Sequence, residues 1–215
     1  MTKKKVNKES IIEVALELLH EKGLSQLTMR NIAAKLHVQA PALYWYIKNK
    51  QELLQLLSEH ISSQIKFPSP TDNWEEEVIL LSLELRSVML SISDGAEIMM
   101  DTLPTTPMRL HLINKTLEIF HRANFPEDKV FLTVSLINNY VTSYALDEQK
   151  QKRMVEKIGL EEIGKQFSKA ITSITREEIP YVYKHILSPK GKMNDEHNFL
   201  AGLQIIIKGI KEQIK

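Results

Sequence analysis

The chain has no cysteine, which excludes disulfides, thiolate metal sites and cysteine nucleophiles outright. Glycine and proline are scarce, with 7 and 8 among 215 residues, and they fall between periodic segments. Long strand-like alternation is missing too. No apolar run approaches the roughly 20 residues that span a bilayer. The opening MTKKKVNKES lacks the apolar core of a secretory signal, so a cytoplasmic protein without membrane contact is the expectation. Catalytic constellations are equally hard to find. The seven histidines are scattered, no HExxH pair or glycine-rich phosphate loop occurs, and Glu75, Glu76 and Glu77 read as a solvated helix face. The chain is therefore read as a binding protein and not as an enzyme.

What is present is an ordinary globular composition, 43% apolar and 26% charged, with its charge unevenly spread. Residues 1–50 carry nine Lys or Arg against four Glu, a net +5, whereas the remainder carries 19 basic and 23 acidic side chains, a net −4. A basic head on an acidic body implies that only the head meets a polyanion. Lys3, Lys4 and Lys5 alone fit a solubilising leader equally well, but Arg30, Lys48 and Lys50 are not explained that way.

The periodicity is helical almost throughout. A first helix over residues 8–21 places Ile12, Ala15, Leu16 and Leu19 on one stripe, widened by Ile11 and Leu18, and Gly23 stops it. Thr28 caps a short second helix that carries Ile32, Ala33 and Leu36 inward. His37 and Val38 make a tight turn, and a third helix starts at residue 39 or 40 with Pro41 in its first turn. Asn49 and Glu52 form a capping box that opens a fourth helix over 50–66. The stretch FPSPTDN (67–73) breaks the pattern. It separates a head, residues 1–50 linked through helix 50–66, from a body, residues 67–215. In the body, helices are predicted over 74–92, 96–103, 107–123 and 126–152. Past a charged segment at 153–165, one helix over 164–187 is kinked or split by Pro180, and another follows a loop at 188–195 and covers 196–214. The architecture predicted is all-α, a three-helix head on a larger helical body.

Helix two, a four-residue turn and helix three have the spacing of a helix-turn-helix, whose second helix enters the major groove of DNA. In APALYWYI, Leu43 and Ile47 are four apart and face the core, which leaves Tyr44 and Tyr46 free to reach a duplex while part of the ring surface packs.

The segment LTMRNIAAKLHVQAPALYWYIKNKQELL (27–54) resembles the DNA-binding head of the TetR family of bacterial repressors. SDGAEIMMDTLPT (93–105), ALDEQ (145–149) and FLAGLQIIIKGIKEQ (199–213) resemble stretches of the tetracycline-repressor branch, so the similarity runs over nearly the whole chain. The resemblance implies that Arg30 reads bases and that Gln39, Ala40, Pro41 and Ala42 form the base-facing end of the third helix. It assigns Thr28, Tyr44, Tyr46 and Lys50 to phosphates, which position without specifying. Tetracycline repressors carry glutamine and threonine where this chain has Ala40 and Ala42. Two short apolar side chains touch thymine methyls but make no bidentate bonds, so a different operator, read through Arg30 and Gln39, is expected.

A homodimer through the last long helices is implied as well. The final helix offers a face of Phe199, Leu203, Ile206 and Ile210, extended by Leu200, Ile207 and Ile214, and Gly202 and Gly209 permit close backbone approach. A core helix within one chain would carry the same pattern. From matched positions, the ligand-contacting residues are Lys66, Leu81, Leu85, Met99, Thr102, Leu103, Lys115, Asn138, Asn139, Thr142 and Asp147. Methionines 89, 99, 100 and 108 suit an adaptable cavity. Tetracycline repressors bind a drug chelated to magnesium, with a histidine at the position of Met99, and a thioether is a poor ligand for a hard cation. Asn139 replaces a second histidine, Asp147 a metal-linked glutamate, and only Thr102 is kept. A more apolar small-molecule ligand is expected, with no obligatory magnesium and no cofactor. Its uptake is expected to shift residues 99–104, move the fourth helix and change the separation of two heads on a palindromic double-stranded DNA operator, with repression as the default sign. The alternative is the same DNA-binding fold answering to a protein partner or acting structurally, without a small inducer.

Overall fold

The computed structural model describes residues 6–185 and 195–212. Within them the chain forms α1 (Lys8–Lys22), α2 (Met29–Lys35), α3 (Ala40–Leu43), α4 (Lys50–Ser63), α5 (Trp74–Ser91), α6 (Gly95–Met100), α7 (Pro107–Arg122), α8 (Glu127–Ile158), α9 (Leu160–Thr172), α10 (Pro180–His185) and α11 (Asp195–Glu212). No strand occurs among the described residues, and the all-α architecture is as the sequence predicts. The Lys3–Lys5 leader, the loop at 188–194, the end of the predicted 164–187 helix and Ile214 lie outside the described residues.

Side-chain caps set the starts of the head's helices. Asn7 opens α1 by accepting the Ser10 N–H at 2.8 Å, and the Ser10 hydroxyl accepts the Asn7 N–H at 3.0 Å. Gly23, at φ 75°, ends the helix where a side chain would be strained. The buried face of α1 is Ile11, Val14, Ala15, Leu18 and Leu19, so Ile12 and Leu16 sit at its edge and not at its centre. Packing on both α2 and α4 turns the helix by about one position from the predicted stripe. Thr28 caps α2 by accepting the Asn31 N–H at 3.1 Å, and Ile32, Ala33 and Leu36 are buried as expected. His37 adopts φ 57° in the turn that follows.

α3 is shorter than predicted. It ends at Leu43, and residues 44–46 continue as a turn whose last bond runs from the Ile47 N–H to the Leu43 carbonyl at 2.9 Å. Leu43 and Ile47 are nonetheless both fully buried. Asn49 caps α4 by accepting the Glu52 N–H at 2.8 Å, but the Glu52 carboxylate reaches the Lys48 N–H at 2.7 Å, one residue further out than a capping box places it.

In the body, α5 lies along α8, with α6 and α7 packed against both. Trp74, Phe120 and Phe125 cluster with ring centroids 4.8 to 5.8 Å apart. Tyr140 stacks on Phe199 at 5.5 Å and donates its hydroxyl to the Phe199 carbonyl at 2.8 Å, which docks α11 on α8. Arg86 from α5 makes a two-pronged ion pair with Glu148. Gln149 accepts the Ala96 N–H at 3.1 Å and donates to the Met89 and Ile92 carbonyls at 2.9 and 2.8 Å. Glu148 and Gln149 thus give the ALDEQ stretch a structural role, the first tying α5 and the second the α5–α6 turn to α8.

Three expectations for the carboxy-terminal half are corrected. α8 runs past 152 to Ile158, where Gly159 at φ 79° stops it, and α9 ends at Thr172. At Pro180 the helix is split, one of the two outcomes expected there, and Pro180 opens α10. Phe199, Leu203 and Ile210 from the predicted dimer stripe are buried within the chain, together with Ile207, while Ile205 is 71% exposed. The close approach at Gly202 is likewise internal, since a Cβ there would collide with the Tyr140 hydroxyl, whereas one on Gly209 would meet open space.

Gly202→Ala is therefore expected to cost about 1–3 kcal/mol in urea denaturation through overpacking. Gly209→Ala is expected to stabilise by about 0.5–1 kcal/mol, as it does in an unobstructed helix interior. A comparable loss at Gly209 would mean that a second chain covers that surface.

Candidate DNA interface and ligand cavity

The head presents most of its predicted contact residues to solvent. Thr28, Arg30, Gln39, Pro41, Tyr44, Tyr46 and Lys50 are exposed, and Ala40 and Ala42 are half-buried at the start of α3. Arg30 stands in the first turn of α2 and Gln39 immediately before α3, the helix that a helix-turn-helix sets in the major groove. Thr28 spends its hydroxyl oxygen on the α2 cap, where it accepts the Asn31 N–H, and its O–H can still donate. Lys50 leans back toward the Leu24 carbonyl at 3.5 Å. Lys35 is tied up by Glu17 and Glu21 at 3.1 and 2.6 Å, and the carboxylates hold its ammonium above the usual lysine range. The aromatic run packs less than its apolar character implies, for Trp45 is 89% exposed. That residue was not among the predicted contacts.

In the body, α5, α6, α7 and α8 surround a cavity of about 320 Å³. Val78, Leu81, Leu85, Met99, Leu112, Ile113, Val134 and Ile137 give it apolar walls, while Ser82, Thr102, Arg109, Thr116, Ser135, Asn138, Asn139 and Thr142 supply polar groups. The mouth lies beside Phe131, Asn138 and Asn139, all exposed. Of the predicted ligand residues, Leu81, Leu85, Met99, Thr102, Asn138, Asn139 and Thr142 are brought together here. Lys66, Leu103, Lys115 and Asp147 are not. Lys66 is exposed, with its N–H on Glu84, and Leu103 is 70% exposed. Lys115 turns to Glu118 at 2.8 Å beside a separate small cleft, and Asp147 faces outward from α8.

Sequence reasoning missed Arg109. It occupies the first turn of α7, is only 8% exposed, and donates from Nη1 to Thr102 Oγ1 at 2.9 Å and toward Met99 Sδ at 3.7 Å. Burial pushes its guanidinium below the ordinary arginine range, opposed by the charge of Glu59. Glu59, on α4, places both carboxylate oxygens on the Met108 N–H at 2.9 and 3.1 Å. Two further bonds join the same regions. Gln51 donates to the Asp101 carbonyl at 3.1 Å, and the Ser62 hydroxyl points at Met99 Sδ at 4.0 Å. A fourth head–body link is made by Asp94, whose buried carboxylate accepts the Leu24 N–H at 2.5 Å and pairs with Arg153.

Two family models match the chain, one for bacterial regulatory proteins of the tetR family over residues 11–57 and one for the tetracyclin repressor-like C-terminal domain over residues 67–214. The chain belongs to the TetR family. It is a transcriptional regulator of that family, with a helix-turn-helix DNA-binding head and a ligand-binding type of body. The class D tetracycline repressor of Escherichia coli is 26% identical over 98% of this chain and 91% of its own length. The Streptomyces coelicolor TetR family protein ActR, solved in complex with actinorhodin, superposes with a TM-score of 0.83 at 23% identity, covering 98% of this chain and 99% of that one. A BioQ structure with its double-stranded DNA operator gives a TM-score of 0.65 at 25% identity over 75% of this chain and 98% of that one.

Met99, Thr102 and Asp147, the positions that the resemblance matches to the magnesium site, do not fit that ion here. Hard cations take oxygen ligands, yet Met99 offers sulfur, Thr102 is held by a guanidinium, and Asp147 points away.

Thr102→Val removes the one oxygen that Arg109 binds in the cavity, and it is expected to cost about 1–3 kcal/mol by leaving the guanidinium less satisfied. Urea denaturation reads the loss, and Thr102→Ser should restore it. No difference between the two variants would mean that Arg109 finds its acceptor elsewhere.

Proposed function

We propose that the chain is a cytoplasmic, homodimeric repressor that holds a palindromic operator and releases it when a small, largely apolar ligand fills the α5–α8 cavity. The observation that carries this reading is the sharing of parts between cavity and head. Met99, Thr102 and Arg109 line the cavity, and the turns they stand on are gripped by Ser62, Gln51 and Glu59 of α4. α4 in turn is buried through Leu53, Leu54, Leu57 and Ile61 and packs on α1. A ligand that fits better when α6 and α7 shift therefore displaces the helix on which the head rides, provided it binds that state more tightly. The relatives support both halves of the reading, since ActR was solved with actinorhodin and BioQ with operator DNA. Two heads are needed because operators of this class present half-sites roughly 34–36 Å apart. Exposed apolar side chains at Leu160, Phe167, Tyr181 and Ile205 offer a subunit contact in place of the predicted α11 stripe.

In this reading Arg30 and Gln39 read bases, and Thr28, Tyr44, Tyr46 and Lys50 hold phosphates. With a duplex selected from a random pool, Arg30→Ala is expected to cost about 1–3 kcal/mol of discrimination at one base pair. Tyr44→Phe is expected to weaken all duplexes alike. If Arg30→Ala also weakens every duplex equally, its contact is a phosphate. A thermal-shift screen tests the sensor itself, because a compound that raises the melting temperature should also release the selected duplex. Compounds that stabilise without release would contradict the coupling.

A further inference from the structure

Arg109 is an expensive residue to place in this cavity. Its side chain is more than nine-tenths buried, and arginine keeps its proton in proteins, so the charge stays. A guanidinium has five N–H donors, yet a neutral hydroxyl and a thioether are the acceptors it finds, both through Nη1. No carboxylate among the described residues forms an ion pair with it. Glu59, whose field reaches it, has both oxygens on the Met108 N–H. A buried charge with one partner missing is strongly destabilising, whereas an apolar side chain of similar size in its place is often neutral or better. Arg109 lines the cavity, so a ligand held there is placed to supply the missing acceptor. Leu81, Leu85, Leu112, Val134 and Ile137 give the same cavity apolar walls, and its other polar side chains are neutral.

We propose that the cavity takes an amphiphilic organic anion, an apolar body carrying one carboxylate, sulfonate or acidic phenol that pairs with Arg109. The inference rests on the reading of this cavity as the inducer site, and it adds one acidic group to the largely apolar ligand. Bidentate carboxylate-type pairing is the geometry a guanidinium favours, and it is strongest where water is excluded.

Two fluorescent probes that share a ring system test it, 8-anilinonaphthalene-1-sulfonate and the neutral N-phenyl-1-naphthylamine. Partition alone favours the neutral dye, so the full-length chain should reverse that order and bind the sulfonate about ten-fold more tightly or better, a difference of about 1.4 kcal/mol. Arg109→Met should abolish the preference while keeping the neutral dye and leaving the melting temperature unchanged or higher. Arg109→Lys keeps the charge without the fork and should retain part of the preference. Ile113→Trp, which fills the cavity, should displace both dyes. If both dyes bind the native chain alike and Arg109→Met leaves their ratio unchanged, the anion inference is wrong while the cavity stands. If neither dye binds, or Ile113→Trp affects neither, the cavity is not the binding site and both readings fall. Should Arg109→Met not fold, the dye ratio of the native chain and of Arg109→Lys decides.

Discussion

The carboxylate of Glu59 lies on the first turn of α7, and much of the molecule's logic follows from that contact. α7 has no cap of its own, because the Thr106 side chain makes no capping bond and Pro107 has no N–H. A negative charge at a helix start is favourable, and here it comes from α4, the helix that carries the head. The head therefore cannot move as a unit without loosening the start of α7, and α7 cannot shift without pulling on the head. Gln51 on Asp101 and Ser62 against Met99 repeat the connection along the same side of α4. Asp94, holding Leu24, closes it from the other end of α6.

What the sequence made legible is what is local. Thr28 and Asn49 are visible as caps because a short polar side chain before an apolar period has few other uses, and Leu43 and Ile47 are visible as core from their spacing. The centre of the α1 stripe was misplaced because two partners, α2 and α4, divide its surface, and only tertiary packing decides between adjacent positions. The α11 stripe was read as an interface although Tyr140 and Tyr144 from α8 cover it, a pairing 59 residues apart in the case of Tyr140 and Phe199. Gly159 was available as a helix stop and was passed over, so the break between α8 and α9 was drawn in the wrong place.

At the ligand site the limit is of the same kind. Leu81, Leu85 and Met99 came from the resemblance, and they reach the cavity because the apolar faces of α5 and α6 pack inward. Lys115 and Asp147 came from resemblance alone, and their surroundings here turn them elsewhere. Arg109 had no signal, because PMRLHL reads as an ordinary amphipathic start in which the arginine is the solvated residue. Only the packing of α6 over it reverses that assignment. The family supplies the head and the bundle, and the side chains that depart from its tetracycline-binding branch set the chemistry of the cavity.

The absence of cysteine allows the coupling to be measured directly. A single spin label at the exposed Ser25→Cys reports on the head, and a homodimer gives one distance between labels by pulsed electron resonance. With a selected duplex bound, the account predicts a single narrow distance compatible with half-sites roughly 34–36 Å apart. When 8-anilinonaphthalene-1-sulfonate fills the cavity, the distance should move by several ångströms and the duplex should dissociate. An unchanged distance at saturating dye, or no intersubunit distance at all, would contradict it.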